Sequence, residues 1–144
     1  MKYDYLLSII IVTHKSFGTL AAILIVPRLA TRLMSKSAGH LTGVKWEQVL
    51  SQVSHTAMYG FLIGMPATGV TMGYYGGKGL PFFWTTLPGA SNENKDGKLA
   101  GKAFKLHKQM GWYMEMLFLG HMAGVGYHLA KGEKILSRIL PLAK

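Results

Sequence analysis

Three long apolar runs dominate the chain, at about 5–33, 49–75 and 106–130. A helix rises about 1.5 Å per residue, so each run is long enough to cross a hydrocarbon core of roughly 30 Å. Lys and Arg cluster at the ends of these runs, where long cationic side chains can reach the polar head groups. The pattern therefore predicts three membrane-spanning helices within a single domain that covers residues 1–144.

The segments that join these runs are more polar. A short linker separates the first two spans, and the segment 76–105 separates the second from the third. The longer segment starts with GGKGLPFFWTTLPG, which we expect at the membrane interface because aromatic side chains favour the head-group level. It continues as SNENKDGKLAGK, which we expect to be a mobile polar loop. Residues 131–144 predict a short amphipathic tail on the membrane surface.

Composition narrows the possible chemistry. The net charge of +10 could indicate a nucleic-acid partner, but the basic residues flank apolar runs and do not form one patch. We therefore expect the lipid bilayer, and no nucleic acid, as a partner. The chain has no cysteine, which excludes disulfides, iron–sulfur clusters and covalently attached haem.

Histidines provide the strongest functional signal. His107, His121 and His128 follow one another at intervals of 14 and 7 residues. Both intervals return to the same helix face within about 40°. Ionisable residues at membrane depth are costly and mark functional sites. His14 lies near the start of the first span, and three spans put the starts of the first and third helices on the same side of the membrane. His14 and His107 are therefore expected at matching depth.

Glycines accompany both of these histidines. Gly18 follows His14 by four residues, and Gly111 follows His107 by four. Residues four apart share a helix face, so each histidine has a patch without a side chain one turn away, where a porphyrin can lie. The pattern predicts one haem with His14 and His107 as its axial ligands.

The remaining histidines favour other roles, and any single membrane histidine can simply hydrogen-bond a neighbouring helix. His128 lies close to the membrane exit at Lys131, where a haem propionate or a lipid phosphate is the expected contact. His55 starts the second span, and a polar or quinone-site contact fits it better than iron ligation. His40 belongs to the polar linker and is expected in water.

The same segments resemble a known family. THKSFGTLAAILIVPRLATRL resembles the His-x-Ser-x-Gly helix, followed by Arg-Leu-x-x-Arg-Leu, of bacterial-type cytochrome b561. HTAMYGFLIGMPATGVTM is similar to that family's third helix, with its His, Tyr and Pro-x-x-Gly. LHKQMGWYMEMLFLGHMAGVGYHLAKGEKILSRILP resembles its last helix, which carries two histidines 14 residues apart. The resemblance extends from Tyr5 to Pro141.

The resemblance implies an all-α integral membrane bundle whose three helices correspond to helices two to four of a four-helix family with two b haems. One family haem lies between the second and fourth helices, which implies His14 and His107 as ligands. The other lies between the first and fourth, which implies His121 and leaves its partner unmatched. Either that haem was lost and His121 became structural, or another membrane subunit supplies the missing helix, or a different histidine completes the site. The first two alternatives are favoured.

Charge placement indicates orientation and propionate partners. The positive-inside rule favours the side that carries the first linker and the C-terminus as cytoplasmic or matrix-facing. The expected propionate partners are cations on either side: Arg28, Arg32 or Arg138 on the inner side, and Lys2, Lys102 or Lys105 on the outer side.

The expected function is that of a b-type cytochrome subunit in a bacterial or mitochondrial inner membrane. It carries single electrons through bis-histidine haem, to or from quinone, within a larger complex. This makes it an electron-transfer protein or an oxidoreductase subunit rather than a stand-alone enzyme. The alternative is a structural subunit of a respiratory or photosynthetic assembly that has kept the fold with reduced or no haem.

Overall fold

The computed structural model of the chain describes residues 2–34 and 44–135. Its elements are α1 (Lys2–Met34), α2 (Lys45–Tyr75), β1 (Leu80–Phe82), β2 (Thr85–Leu87) and α3 (Gly97–Ala130). The expectations for His40, for Arg138 and for the tail beyond residue 135 lie outside the described residues, as does the side chain of Lys2. The prediction of a helical bundle with three long helices is confirmed.

The third helix begins earlier than the sequence pattern predicts. It starts at Gly97, nine residues before position 106. The Asp96 side chain accepts a hydrogen bond from the Leu99 amide at 2.9 Å, which caps the exposed first turn. Residues 97–102 of the segment expected to be a mobile polar loop are therefore helical, because this cap and the residues after it extend α3 in front of its apolar part.

The connection between α2 and α3 is anchored to the end of α2. The Ala90 amide donates to the Tyr74 carbonyl at 2.9 Å, and the Asp96 amide donates to the Tyr75 carbonyl at 3.2 Å. Both bonds hold the connection against the last turn of α2. The loop predicted over 76–105 is thus reduced to 76–96, and its aromatic part forms the hairpin of β1 and β2.

The hairpin is antiparallel, with Leu80 opposite Leu87 and Phe82 opposite Thr85. Its two-residue turn has a positive φ of 54° at Phe83, a backbone conformation in which glycine is usual. The Phe83 amide donates to Ser16 Oγ of α1 at 2.8 Å. This bond and the edge-to-face contact of Phe17 with Phe83 dock the hairpin on α1.

The central element of the bundle is α2. It packs antiparallel to α3 along most of its length and also packs against α1. Within the described residues, no Cα atom of α1 comes within 8 Å of one in α3. The two outer helices are therefore separated by a gap that side chains alone can bridge.

The surface of this bundle is apolar, and its buried residues are small or polar. Among the described residues, the buried side chains are those of Ser16, Thr19, Glu47, Ala90 and Ala103. Large apolar side chains are exposed on all three helices. By length and hydropathy, α1 alone among the described helices is apolar enough to cross a membrane, over Asp4–Met34 with a mean hydropathy of 2.0. Contacts between small side chains inside an apolar exterior are typical of helices that pack against each other in lipid.

Candidate functional site

The rings of His14 and His107 face each other across the gap between α1 and α3. Their centres are 6.1 Å apart and their planes are nearly perpendicular, at 84°. Two imidazoles on opposite sides of one metal ion, with each nitrogen about 2.0–2.1 Å from it, have ring centres roughly 6 Å apart. The two histidines therefore have the separation of a pair of axial ligands.

The ring of His107 is held by α2. Its Nδ1 lies 3.1 Å from the Met65 carbonyl oxygen and 2.9 Å from Thr68 Oγ1. A carbonyl oxygen can only accept a hydrogen bond, so Nδ1 carries the ring proton. The lone pair is then on Nε2, which is the nitrogen left to bind a metal. Metal-binding histidines commonly donate their other ring N–H to a protein oxygen in this way.

A cavity of about 430 Å³ adjoins both rings. Its volume lies within the usual range of roughly 300–1,000 Å³ for cofactor pockets. An added Cβ on Gly18 meets nothing within 4 Å, so this glycine leaves open space beside His14. The rest of the wall is largely apolar and includes Phe61, Leu62, Met65, Val70, Phe104 and Met114. The imidazole pair, the open space and the apolar wall fit a b haem.

Two cations border this cavity, Lys15 beside His14 and Lys78 in the loop after α2. Ammonium groups at the edge of an otherwise apolar pocket can pair with haem propionates. Arg28, which the sequence favours for that role, is exposed and is not among the residues that line this cavity. The same is true of Lys102 and Lys105.

The second predicted glycine has a different environment. Gly111 does not line the cavity beside His107, and an added Cβ would lie 3.7 Å from Met65 Cε of α2. The lack of a side chain at Gly111 therefore lets α3 pack closely against α2. Gly69 of α2 lies nearer to the ring, since its added Cβ would be 3.5 Å from His107 Cε1.

His121 faces His55 of α2, with ring centres 5.2 Å apart and planes at 57°. This separation is shorter than the roughly 6 Å expected of ligands on opposite sides of one iron. α2 and α3 also pack directly together, so these two rings do not have room for a porphyrin between them. His121 also lines a second cavity of about 600 Å³, beside Gly120 and Gly124.

The chain matches the sequence model of the family described as prokaryotic cytochrome b561, over residues 1–142. The chain belongs to the prokaryotic cytochrome b561 family. This membership confirms the resemblance found in the sequence and makes the chain a membrane-integral b-type cytochrome of electron transfer. The family also implies haem b as the cofactor. Neither the curated proteins nor the solved structures include a match to the chain.

A polar cluster closes the other end of this cytochrome b561 bundle. Lys131 Nζ lies 3.1 Å from Glu47 Oε1, and the Tyr127 hydroxyl donates to the same oxygen at 3.4 Å. The hydrogen bond from Lys131 holds the pKa of Glu47 below its ordinary value, and Glu47 in turn raises the pKa of Lys131. His128 Nδ1 lies 3.0 Å from Glu133 Oε2, so in this structure His128 pairs with a carboxylate of the same chain.

Several residues around the histidines escaped the sequence analysis. They are Lys15, Met65, Thr68 and Lys78. One usable signal was present: His55 precedes Thr68 by 13 residues, and His107 precedes His121 by 14. In an antiparallel helix pair, such matched intervals bring Thr68 to His107 whenever they bring His55 to His121.

Proposed function

We propose that this member of the cytochrome b561 family carries single electrons through one b haem held axially by His14 and His107. The observation that carries the proposal is the pair of rings facing across the gap between α1 and α3 at 6.1 Å. The engagement of His107 Nδ1 with α2 supports it, because that contact leaves Nε2 available for iron.

The protein side chains have distinct roles in this proposal. Gly18 keeps the space beside His14 open, and the apolar wall excludes water from the site. Lys15 and Lys78 bind the propionates and hold positive charge near the macrocycle. The haem, when bound, supplies a reversible one-electron change at iron, whose potential depends on its ligands, hydrogen bonds and burial.

We further propose that electrons pass to or from quinone within a larger membrane complex. The exposed apolar surfaces of α1 and α3 support the membership of a complex, because they offer area both to lipid and to the helices of other subunits. A second haem at His121 requires a partner helix that draws this ring away from His55 and supplies the opposite ligand. In that case Arg28 at the inner end of α1 is a propionate partner.

The test is haem content. A pyridine haemochrome assay on the detergent-purified protein should find one b haem per chain in the wild type. The His14→Ala and His107→Ala variants should each lose it, because one axial ligand is removed. His128→Ala is the matched control, since this histidine pairs with Glu133 and should not affect the haem.

Each other result has a definite meaning. Full haem content with an unchanged spectrum in His14→Ala would refute the ligand assignment. A wild-type protein without haem, purified under conditions that retain haem in other membrane cytochromes, would favour the structural subunit. Two haems per copy of the chain in its native complex would indicate that a partner completes the site at His121.

A further inference from the structure

Thr68 lies between the axial ligand candidate His107 and the backbone of α2. Its Oγ1 is 2.9 Å from His107 Nδ1 and 2.8 Å from the Gly64 carbonyl oxygen. The Met65 carbonyl oxygen lies 3.0 Å from the same hydroxyl and 3.1 Å from the same ring nitrogen. Two oxygen atoms of one helical turn therefore contact one N–H of the ring, and the third, the Gly64 carbonyl oxygen, contacts the Thr68 hydroxyl.

The positions of the protons follow from what each atom can do. The hydroxyl has one proton, and carbonyl oxygens have none to give. If Thr68 donated to His107, the bare Nδ1 would face the lone pairs of the Met65 carbonyl at 3.1 Å. The favourable arrangement is the reverse: His107 donates to Thr68 and to Met65, and the Thr68 hydroxyl donates to Gly64. Linked hydrogen bonds of this kind strengthen one another.

The sequence of α2 brings this turn close to the ring. Gly69, the residue after Thr68, has no side chain, and an added Cβ would already touch His107 Cε1 at 3.5 Å. The ring thus lies directly against the helix at this point. Thr71, one turn further on, donates to its own helix at the Ala67 carbonyl, 2.8 Å away, and is not among the polar contacts of the ring.

We propose that Thr68 is a positioning residue that accepts a hydrogen bond from His107 Nδ1–H, orients the ring and sets the potential of the iron it binds. The inference rests on the proposed function, in that His107 must be an axial ligand. An acceptor on Nδ1–H shifts negative charge into the imidazole and makes Nε2 more basic. A more basic ligand favours ferric over ferrous iron, so Thr68 lowers the reduction potential.

The experiment compares three substitutions in the haem-loaded protein. Thr68→Val keeps the shape and removes the hydroxyl, Thr68→Ser keeps the hydroxyl, and Thr71→Val removes a matched hydroxyl that does not touch the ring. Spectroelectrochemical titration should show a positive shift of the midpoint potential in Thr68→Val alone. A tenfold change in the reduction equilibrium corresponds to about 59 mV for one electron, and we expect a shift up to about that size.

A second readout needs no haem. Nitrogen-15 NMR of His107 in the haem-free protein should show a protonated Nδ1 in both the wild type and Thr68→Val, because the Met65 carbonyl still accepts from it. The Nδ1 chemical shift should change in Thr68→Val, because one of the two acceptors is lost. Titration with haemin should show roughly tenfold weaker binding by Thr68→Val, the lower end of the effect usual for such outer contacts. If Thr68→Val fails to retain haem, these two measurements decide the question.

A Thr68→Val protein with the potential, haem affinity and Nδ1 chemical shift of the wild type would overturn the inference and leave the proposed function intact. A wild type that binds no haem would instead overturn the proposed function. In that event the NMR experiment alone would still test the tautomer that we assign to His107.

Discussion

Ser16 provides a demanding test of how the hairpin is held on α1. Its side chain is only 1% exposed; its Oγ donates to the Val12 carbonyl at 2.8 Å and accepts from the Phe83 amide at 2.8 Å. Ser16→Ala leaves the Phe83 amide without this partner at a turn whose positive φ is already unfavourable for a bulky residue. A buried donor left unpaired costs about 1–3 kcal/mol.

That cost should fall on the hairpin rather than on the whole helix. Because about 1.4 kcal/mol corresponds to a factor of ten, the hairpin should open roughly 5- to 150-fold more often. Leu80 of this hairpin lines the cavity beside His14, so release of haem should accelerate as well. Hydrogen exchange at the Phe83 amide and transfer of haem to apomyoglobin are the two assays.

Ser8→Ala is the matched control for this experiment. The Ser8 hydroxyl also donates to a carbonyl of its own helix, that of Tyr5 at 2.7 Å, but it is exposed and does not contact the hairpin. Its removal should leave both rates unchanged. Exchange at Phe83 in Ser16→Ala that matches the wild type would show that the hairpin is held by its apolar contacts alone, and our argument would be wrong.

Two further predictions concern the cavity and the polar cluster. Gly18→Leu should fold as the wild type does but lose most of its haem, because the new side chain fills the open space; Gly101→Leu, also in open space but away from the cavity, should keep it. Since the pKa of Glu47 is lowered, the pair with Lys131 stabilises the protein above the ordinary carboxyl pKa of 4.5, and this contribution is lost as the pH falls through the lowered pKa. Glu47→Gln should therefore flatten the acid side of a plot of unfolding temperature against pH, and an unchanged acid side would contradict the assignment.

The sequence was sufficient for the parts of the fold that depend on periodicity and direction. Three apolar runs place the starts of the first and third helices on one side, and this alone puts His14 level with His107. The family match then confirmed the resemblance on which the haem assignment rests.

The features that the sequence missed depend on contacts between elements. The turn at Phe83 combines a positive φ with a hydrogen bond to Ser16 of α1, and no local pattern reveals either. Thr68 and His55 face α3 only through the rotation of α2 about its axis, and a helix rich in glycine has no strong apolar stripe to fix that rotation in advance. The start of α3 was missed because the apolar run ended before the helix did.

The gap between the two outer helices has a consequence for assembly. Each outer helix packs against the central one, but within the described residues the backbones of α1 and α3 do not approach each other, and the rings of His14 and His107 meet across the gap. Until a ligand joins His14 to His107, the backbone of the first helix is held near that of the last only through the central helix α2 and the elements that pack on it. A cofactor entering sideways from the bilayer would have no close backbone packing of α1 on α3 to break, and its binding would join the two helices. Maturation of the protein and closure of its tertiary structure would then be one event.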